Sequence, residues 1–319
     1  MKKLRLKKRI WIAALCLCIC LAGGFVLAGC GSDDSDAGYT AEYETITEDF
    51  FLLNGDGTYT YGKITVPDTE EEYPLVSISH GIYGSMNSGG IPELSERLAG
   101  NGIAAVRVDF NRCLTDDPDK ALVGDDSGRT NEYTISNMLE SDTLAVNYAI
   151  ANYNVDKDRL GVYGKSFGGR IAMIMGNESW GGLDYKAMVL IAPAGNEYAL
   201  IHYFGEDEWE KLRAEAEKKG SARSGKLTLS AQWFKDYYDF DPTKTADKFG
   251  EKPVLVYYNT KDTTVEPKTS LDCANSYKNV DVYKVTTDDG HGYEMAMEES
   301  KLKEEIMNRV VKFYKKELK

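Results

Sequence analysis

The chain has 319 residues, 42% of them hydrophobic and 11% aromatic, and its 51 acidic and 38 basic residues give a formal net charge of −13. This length allows one large α/β domain or two small ones, and the hydrophobic content is enough for a substantial core. The acidic balance disfavours a nucleic-acid-binding protein, because neutralising phosphates requires clusters of Lys and Arg. The aromatic content argues against a disordered acidic chain.

The N-terminus has the pattern of a targeting segment. A basic stretch at residues 2–9 precedes an apolar run from Ile10 to Ala28, and the run ends in Leu27-Ala28-Gly29-Cys30. A basic region, an apolar region and small residues before a cleavage point are typical of a secretory signal peptide. An uncleaved transmembrane anchor is the alternative, because the apolar run is nearly long enough to span a bilayer.

The last four residues of this segment resemble the lipobox of bacterial lipoproteins. The resemblance implies that Cys30 becomes lipidated and forms the new N-terminus. We therefore expect a signal peptide at residues 1–29 and a flexible tether at residues 30–42. The protein would then be anchored through Cys30 on the extracytoplasmic face of a bacterial cell membrane.

The six cysteines do not form the pattern of a disulfide framework. Four of them belong to the N-terminal segment: Cys16, Cys18, Cys20 and Cys30. Cys113 and Cys273 remain in the body of the protein, where they either pair in an oxidising compartment or stay as two buried thiols. The sequence leaves both possibilities open and slightly favours thiols, because nothing else places the two residues together.

Strand and helix patterns alternate along the body of the chain. Residues 43–68 alternate in polarity around the turn Asn54-Gly55-Asp56-Gly57, which predicts a β-hairpin at the edge of a sheet. Apolar and periodic runs predict strands within 74–80, 103–110, 159–163, 186–193, 253–258 and 280–285, and helices within 93–102, 131–153, 170–175 and 269–278. This alternation is typical of a doubly wound, mostly parallel sheet.

The stretch Gly164-Lys165-Ser166-Phe167-Gly168 has the clearest chemical pattern in the chain. A strand, a G-x-S-x-G turn and a helix in this order are typical of a nucleophile elbow. Gly164 and Gly168 leave room for a tight turn, which presents the hydroxyl of Ser166 at its tip. The backbone N–H of Phe167, at the start of the helix, can face a developing oxyanion. A chance match in a glycine-containing turn is the alternative.

A histidine-glycine turn, His80-Gly81-Ile82-Tyr83, directly follows the predicted strand at residues 74–80. It resembles the oxyanion loop of α/β-hydrolases, which implies that the N–H of Ile82 joins that of Phe167 as a second donor to the oxyanion. We interpret His80 as a structural residue that holds the loop. Tyr83 either lines the mouth of a pocket or packs within the loop.

Two later residues complete a candidate triad. Asp262 lies just past the strand at 253–258, and His291 lies in a glycine-flanked loop before the final helix. The chain order of Ser166, Asp262 and His291 is the order of nucleophile, acid and base in α/β-hydrolases. Asp288 and Asp289 are the competing acids. His202 is the weaker candidate for the base.

The alternation of strands and helices stops after Ala194 and resumes at Pro253. The intervening residues, about 195–250, are charged and aromatic, as in a cap inserted after the sixth strand of the sheet. Trp233, Phe234, Tyr237, Tyr238 and Phe240 lie in this segment. They form either a wall for an acyl group or the cap's own core.

From Pro74 to the C-terminus the chain resembles the α/β-hydrolase superfamily and, within it, bacterial cinnamoyl and feruloyl esterases. The resemblance rests on His80-Gly81-Ile82, on the segments 98–103 and 106–111, on the position of the cap, and on Asp262 with His291. Two features differ. Asn111-Arg112-Cys113-Leu114 stands where those esterases have a glycine-rich turn, and Lys165 stands where a histidine often precedes the serine.

The resemblance implies an α/β-hydrolase domain at residues 43–319, with a mostly parallel, doubly wound sheet and a cap. It also implies a serine esterase that acts on a small-molecule carboxylic ester and needs neither metal nor cofactor. A serine peptidase of the same fold is the first alternative, because the same triad cleaves amides. A surface-binding lipoprotein that keeps the fold without catalysis is the second.

Overall fold

The computed structural model describes residues 40–114, 132–225, 227–292 and 301–319. The strands there are β1 (Thr45–Leu53), β2 (Tyr59–Pro67), β3 (Tyr73–Ser79), β4 (Ala104–Val108), β5 (Glu132–Tyr133), β6 (Val155–Lys165), β7 (Tyr185–Ile191), β8 (Ser221–Ser224), β9 (Leu227–Ser230), β10 (Val254–Asn259) and β11 (Val280–Val285). The helices are α1 (Ile91–Ala99), α2 (Ile135–Asn152), α3 (Phe167–Asn177), α4 (Ala199–Phe204), α5 (Glu206–Lys219), α6 (Ala231–Asp239), α7 (Pro267–Asn275) and α8 (Lys301–Glu317).

The main sheet has the strand order β1-β2-β4-β3-β6-β7-β10-β11. β1 and β2 pair antiparallel, as do β2 and β4, and the remaining pairs are parallel. This order confirms the predicted mostly parallel sheet with a hairpin at its edge. The chain leaves β3 towards β4 on one side and returns to β6 on the other. The loops after β3 and β6 therefore meet at the carboxyl edge of the sheet, where ligands bind in open α/β folds.

Helices cover both faces of this sheet, and the residues of β3 show why. Every residue of β3 is buried, as expected for a parallel strand covered on both sides. Successive side chains point to opposite faces, so Leu75 packs with α2 and α3 while Val76 packs with α1 and α8. On the second face, the hydroxyl of Tyr314 donates to the carbonyl oxygen of Val162 at 2.6 Å.

Between β7 and β10 the chain leaves the main sheet and forms α4, α5, β8, β9 and α6. β8 and β9 join the short β5 in a second, three-stranded sheet of order β5-β9-β8. The sequence patterns missed this sheet, because strands of two to four residues are too short to show a period.

The buried aromatic residues of this segment form its own core. Trp209 on α5 and Trp233 and Tyr237 on α6 are fully buried and contact one another at ring-centroid distances of 5.0 to 5.7 Å. Trp233 also stacks on Phe167 of α3 at 6.1 Å. Of the two alternatives left by the sequence, the structure thus has the aromatic core rather than an acyl wall.

Arg170 on α3 joins the same segment to the body of the protein. Its guanidinium is fully buried and donates to four backbone carbonyl oxygens, those of Gly195, Asn196, Tyr237 and Phe240, at 2.7 to 3.1 Å. It also lies 4.1 Å from the centroid of the Tyr237 ring. A buried cation is tolerated when it is hydrogen-bonded in this way, so Arg170 fixes the segment to the helix that follows Ser166.

Cys113 and Cys273 are both buried, and no disulfide joins them. Cys113 packs with Tyr61 and Met86, whereas Cys273 belongs to the main core. Burial raises the pKa of the Cys273 thiol to about 12, so this thiol stays protonated near neutral pH. The predicted signal peptide, the lipidation site at Cys30 and most of the tether lie outside the described residues. Within the described ranges, no helix is both long and apolar enough to cross a membrane.

Candidate active site

Ser166 lies at the sharp turn between β6 and α3, with φ 56° and ψ −124°. Its backbone N–H donates to the carbonyl oxygen of Ile191, which ties the turn to the neighbouring strand. A Cβ atom at Gly164 would lie 2.2 Å from the carbonyl oxygen of Gly168, and one at Gly168 would lie 2.1 Å from that of Ser79. Both glycines are therefore required by close approach of backbone to backbone, as the sequence predicted.

Gly81, in the loop after β3, leaves space for the side chain of Ser166. A Cβ atom at Gly81 would lie 3.2 Å from Cβ of Ser166 and 3.6 Å from its Oγ. The loop after β3 and the turn after β6 thus touch at the hydroxyl of Ser166. This contact follows from the adjacency of β3 and β6 in the sheet.

His80 holds the predicted oxyanion loop from within the core. It is 1% exposed, and its Nε2 accepts a hydrogen bond from the backbone N–H of Phe110 at 3.2 Å. A backbone N–H can only donate, so the proton of the neutral ring is on Nδ1. Nδ1 then donates to the carbonyl oxygen of Gly81 at 2.8 Å. These contacts agree with a structural role for His80.

The hydrogen bond from His80 to the carbonyl oxygen of Gly81 also orients the N–H of Ile82, the first predicted donor to the oxyanion. The carbonyl oxygen of Gly81 also accepts from the backbone N–H of Gly84 at 3.0 Å. In a planar trans peptide the C=O of one residue and the N–H of the next point in opposite directions. Because His80 and Gly84 hold the carbonyl of Gly81 on one side, the N–H of Ile82 points to the other.

The N–H of Phe167 is the second predicted donor to the oxyanion. Phe167 is the first residue of α3, and the first four N–H groups of a helix have no acceptor within it. The partial positive charge of the helix N-terminus adds to the field of this donor. The arrangement suits an oxyanion that forms beside Ser166.

Asp262 is fixed by the turn that follows β10. Its Oδ1 accepts from the backbone N–H groups of Thr264 and Val265, both at 2.9 Å. Its Oδ2 lies 2.6 Å from Nδ1 of His291. The carboxyl side chain is 1% exposed, so its charge-assisted hydrogen bond to the ring is shielded from water.

The hydrogen bond to Asp262 fixes the tautomer of His291. A proton held on Nδ1 leaves Nε2 as the basic nitrogen. Nε2 is buried and has no hydrogen-bond partner within the described residues. His291 and Ser166 line the same cavity, and catalytic contacts between serine and histidine often tighten only when substrate is bound.

The competing candidates lie apart from this pair. Asp288 has a 91% exposed side chain and pairs with Lys261 at 2.6 Å. Asp289 accepts from the hydroxyl of Thr287 two residues away. His202 is half-exposed on α4, with Nδ1 3.2 Å from Oε2 of Glu266. Only Asp262 of the three aspartates contacts His291 in the described part of the chain.

A cavity of about 220 Å³ opens beside Ser166. Most of its lining is apolar, and five apolar residues of the lining come from three loops and from the helices α1 and α4: Ile82, Ile91, Ala194, Leu200 and Val265. Tyr83 and Tyr203 line it as well, each 42% exposed. Tyr83 therefore lies at the pocket, the first of the two alternatives that the sequence left open.

Four non-glycine residues in the described ranges have a positive φ, and three of them lie at this cavity or directly beside it: Tyr83 at 63°, Ser166 at 56° and Ala192 at 45°. Such backbone conformations cost free energy and persist only where the surrounding structure imposes them. Ala192 shows that constraint, because its N–H donates to the carbonyl oxygen of Tyr257 at 2.8 Å. Within the part of the chain that the structure describes, three of the four strained non-glycine conformations thus lie around Ser166.

Sequence reasoning did not identify Leu200 and Tyr203 as cavity residues. Both belong to α4, the six-residue helix that begins the segment between β7 and β10. Their only signal was position, because α4 follows the loop that leaves the carboxyl end of β7. No group of three or more His, Cys, Asp or Glu side chains is placed to hold a metal ion in the described ranges.

Comparison with known proteins places this chain among hydrolases. The model of the prolyl oligopeptidase family matches residues 136–319. Est1E from Butyrivibrio proteoclasticus with bound ferulic acid has a similar structure, with a TM-score of 0.64, 21% identity, and coverage of 84% of this chain and 98% of that one. No curated protein sequence gave a match.

Two further solved structures are similar to this chain. Acetyl xylan esterase from Paenibacillus sp. R4 has a TM-score of 0.59 and 21% identity, with 87% of this chain and 90% of that one covered. An acylaminoacyl peptidase has a TM-score of 0.63 and 15% identity, with 86% of this chain but 42% of that one covered. At these identities the likeness shows the α/β-hydrolase fold.

Proposed function

Because the chain belongs to the prolyl oligopeptidase family and is a serine hydrolase of the α/β-hydrolase fold, we propose that it cleaves carboxylic esters through an acyl-enzyme. The observation that supports this most directly is the hydrogen bond between Asp262 and His291, which leaves Nε2 of His291 basic at a cavity shared with Ser166. Serine, histidine and aspartate in these roles activate a hydroxyl for attack on an acyl carbon.

In the proposed reaction, Nε2 of His291 takes the proton from Oγ of Ser166 as Oγ bonds to the ester carbonyl carbon. The carbonyl oxygen becomes an oxyanion, and the N–H groups of Ile82 and Phe167 donate to it. His291 then returns the proton to the departing alcohol as the ester C–O bond breaks. Water repeats the sequence on the acyl-enzyme and releases the acid. Asp262 stabilises the imidazolium in both steps.

One observation favours esters over the substrates of an aminopeptidase. Among the described residues, no Asp or Glu lines the cavity, and an aminopeptidase would need such a charge to bind the substrate ammonium. A small, largely apolar cavity suits an uncharged acyl or alcohol group.

The test combines a covalent probe with two substrate classes. Labelling by a fluorophosphonate would demonstrate an activated serine and exclude a purely binding lipoprotein. Turnover of p-nitrophenyl esters at least 100-fold faster than peptide anilides would support the ester assignment. The opposite ranking would make the protein a peptidase of the same fold.

The proposed location rests on the sequence alone. A lipid on Cys30 would anchor the domain to the outer face of a bacterial membrane through residues 30–42. One acyl chain binds membranes only marginally, whereas a diacylated cysteine supplies two. Mass spectrometry of the mature N-terminus tests this, with modified Cys30 as the expected first residue. An unmodified N-terminus elsewhere would contradict it.

A further inference from the structure

Asn259 is the last residue of β10 and lies three residues before Asp262. Its side chain is polar but has no exposed surface. Buried amides in proteins are nearly always hydrogen-bonded, so the partners of Asn259 show what it holds together.

All the hydrogen-bonding capacity of the Asn259 side chain is used. Nδ2 donates to the carbonyl oxygens of Thr287 at 3.0 Å and Gly290 at 2.9 Å. Oδ1 accepts from the backbone N–H groups of Lys261 at 3.2 Å and Thr287 at 3.1 Å. An asparagine amide has two donor hydrogens and two acceptor lone pairs, and all four are satisfied here.

These partners belong to the two loops of the proposed acid and base. The contacts to Thr287 and Gly290 hold the loop that leads into His291, and Gly290 shares a peptide plane with the N–H of His291. On the other side, the contact to Lys261 holds the acid loop. The backbone oxygen of Asn259 also accepts from the N–H of Asp262 at 3.1 Å.

Two other side-chain contacts between these loops are exposed. Lys261 pairs with Asp288 at the surface, and the hydroxyls of Thr260 and Thr286 meet at 2.9 Å in an exposed position. Exposed ion pairs contribute little, because water and salt screen them. Beside the hydrogen bond between Asp262 and His291 itself, the buried amide of Asn259 is thus a second shielded link between the loops.

We propose that Asn259 is a positioning residue, which sets the distance and angle between Asp262 and His291 without touching the substrate. This role rests on the proposed function of that pair. It predicts a defect in the chemical step rather than in substrate binding, because a misplaced base slows proton transfer while the cavity stays intact.

The experiment compares Asn259→Ala and Asn259→Asp with a matched buried asparagine. Asn177, at the end of α3, is 3% exposed; its Nδ2 donates to the carbonyl oxygen of Pro242 at 2.9 Å and its Oδ1 accepts from the hydroxyl of Tyr277. Asn177→Ala therefore removes a similar buried clamp away from the cavity. Asn259→Asp keeps the size and the acceptor but loses both donors, so it serves if the alanine variant does not fold.

Each variant is assayed on p-nitrophenyl acetate below its melting temperature, with fluorophosphonate labelling and hydrogen–deuterium exchange over residues 286–292. Both Asn259 variants should lose kcat by about 10- to 100-fold, with KM within about twofold and labelling slowed in parallel. Exchange in the loop should rise. Asn177→Ala should lose thermal stability but keep kcat within about twofold.

Two results would overturn the proposal while leaving the esterase assignment intact. One is a kcat within twofold of wild type in both Asn259 variants when Ser166→Ala is inactive. The other is an equal loss of kcat in Asn177→Ala, which would make the effect one of general stability. Wild-type turnover by Ser166→Ala would instead remove the proposed function, and the exchange data would still report whether Asn259 orders the loop.

Discussion

The hydroxyl of Ser79 donates a 2.6 Å hydrogen bond to Oδ2 of Asp142, whose carboxyl group is completely buried beneath the sheet. Burial raises the pKa of Asp142 from its ordinary value of 3.8 to about 7, and the bond from Ser79 opposes this rise. The second oxygen, Oδ1, has no partner within the described residues. Ser79 directly precedes His80, so a buried titratable group lies next to the proposed oxyanion loop.

Asp142 should make the protein less stable as the pH rises. A carboxyl group with a raised folded-state pKa binds its proton more tightly in the folded state, so its contribution is complete below about pH 4 and is lost as the pH rises to about 7. The difference corresponds to about 4 kcal/mol of unfolding free energy. Asp142→Asn should remove this dependence, so that the variant gains stability relative to wild type between pH 5 and pH 8 in urea unfolding.

Ser79→Ala is the companion variant to Asp142→Asn. It removes the hydrogen bond that favours the charged carboxylate, so the pH-dependent loss of stability should extend to higher pH. Parallel stability curves for wild type and Asp142→Asn over this range would show that Asp142 does not titrate there.

Ser166→Ala should abolish fluorophosphonate labelling and ester turnover while the protein remains folded. The hydroxyl lies at a turn whose shape is fixed by Gly164, Gly168 and the bond to Ile191, so its loss removes chemistry rather than packing. Circular dichroism should match that of wild type. Near-wild-type turnover would place the nucleophile elsewhere.

Asp262→Asn and Asp289→Asn should differ sharply in kcat. An amide at position 262 can turn its NH₂ group towards Nδ1 and so favour the wrong tautomer of His291, and the loss could reach about 10⁴-fold. Asp289 contacts Thr287 and not the ring, so its variant should lose less than about tenfold. Steady-state kinetics on one short ester suffices, and the reverse ranking would identify a different acid.

His80→Ala should lower kcat by about 100-fold, the loss expected when one oxyanion donor is misplaced. Without the ring, the carbonyl oxygen of Gly81 loses its 2.8 Å contact and the N–H of Ile82 is no longer held in direction. His202→Ala is the control, because that ring is half-exposed and contacts Glu266 at the surface. An equal loss in both variants would argue against this role of His80.

Tyr203→Ala and Trp209→Ala should separate substrate preference from stability. Tyr203 lines the cavity and is 42% exposed, so its truncation should change the ratio of kcat/KM between short and aromatic esters with little change in Tm. Trp209 is fully buried among aromatic rings, and its truncation should cost about 3 to 5 kcal/mol. Folded Trp209→Ala should keep the wild-type ratio of kcat/KM between short and aromatic esters.

The positions of the loops that carry the proposed catalytic residues were predictable, because each loop follows a strand with a clear apolar run. The spacing of Ser166, Asp262 and His291 along the chain then gave their order at the sheet edge. Asn259 and Arg170 had no such signal, since their partners lie up to 31 and 70 residues away and are backbone groups. A backbone group can belong to any residue type, so only tertiary structure reveals these contacts.

The aromatic residues between β7 and β10 show a second limit of prediction from the sequence. Trp233 and Tyr237 are four residues apart on α6 and so share one face, but the sequence does not say what that face meets. That face packs against Trp209 of α5 and Phe167 of α3. The distinction between a cap core and an acyl wall therefore depends on how helices pack, which local pattern does not encode.

The tight contact of Gly168 with Ser79 has a consequence for anyone who would redesign this protein. With only 2.1 Å between an added Cβ and the carbonyl oxygen of Ser79, no side chain fits at position 168 without moving the strand that supports His80. A mutant library designed for new substrates should therefore leave Gly168 unchanged. Position 203 has no such constraint, because Tyr203 is 42% exposed and α4 supplies cavity wall but none of the proposed proton-transfer groups. A position that tolerates substitution and the positions that the proposed chemistry requires therefore lie in different parts of the chain.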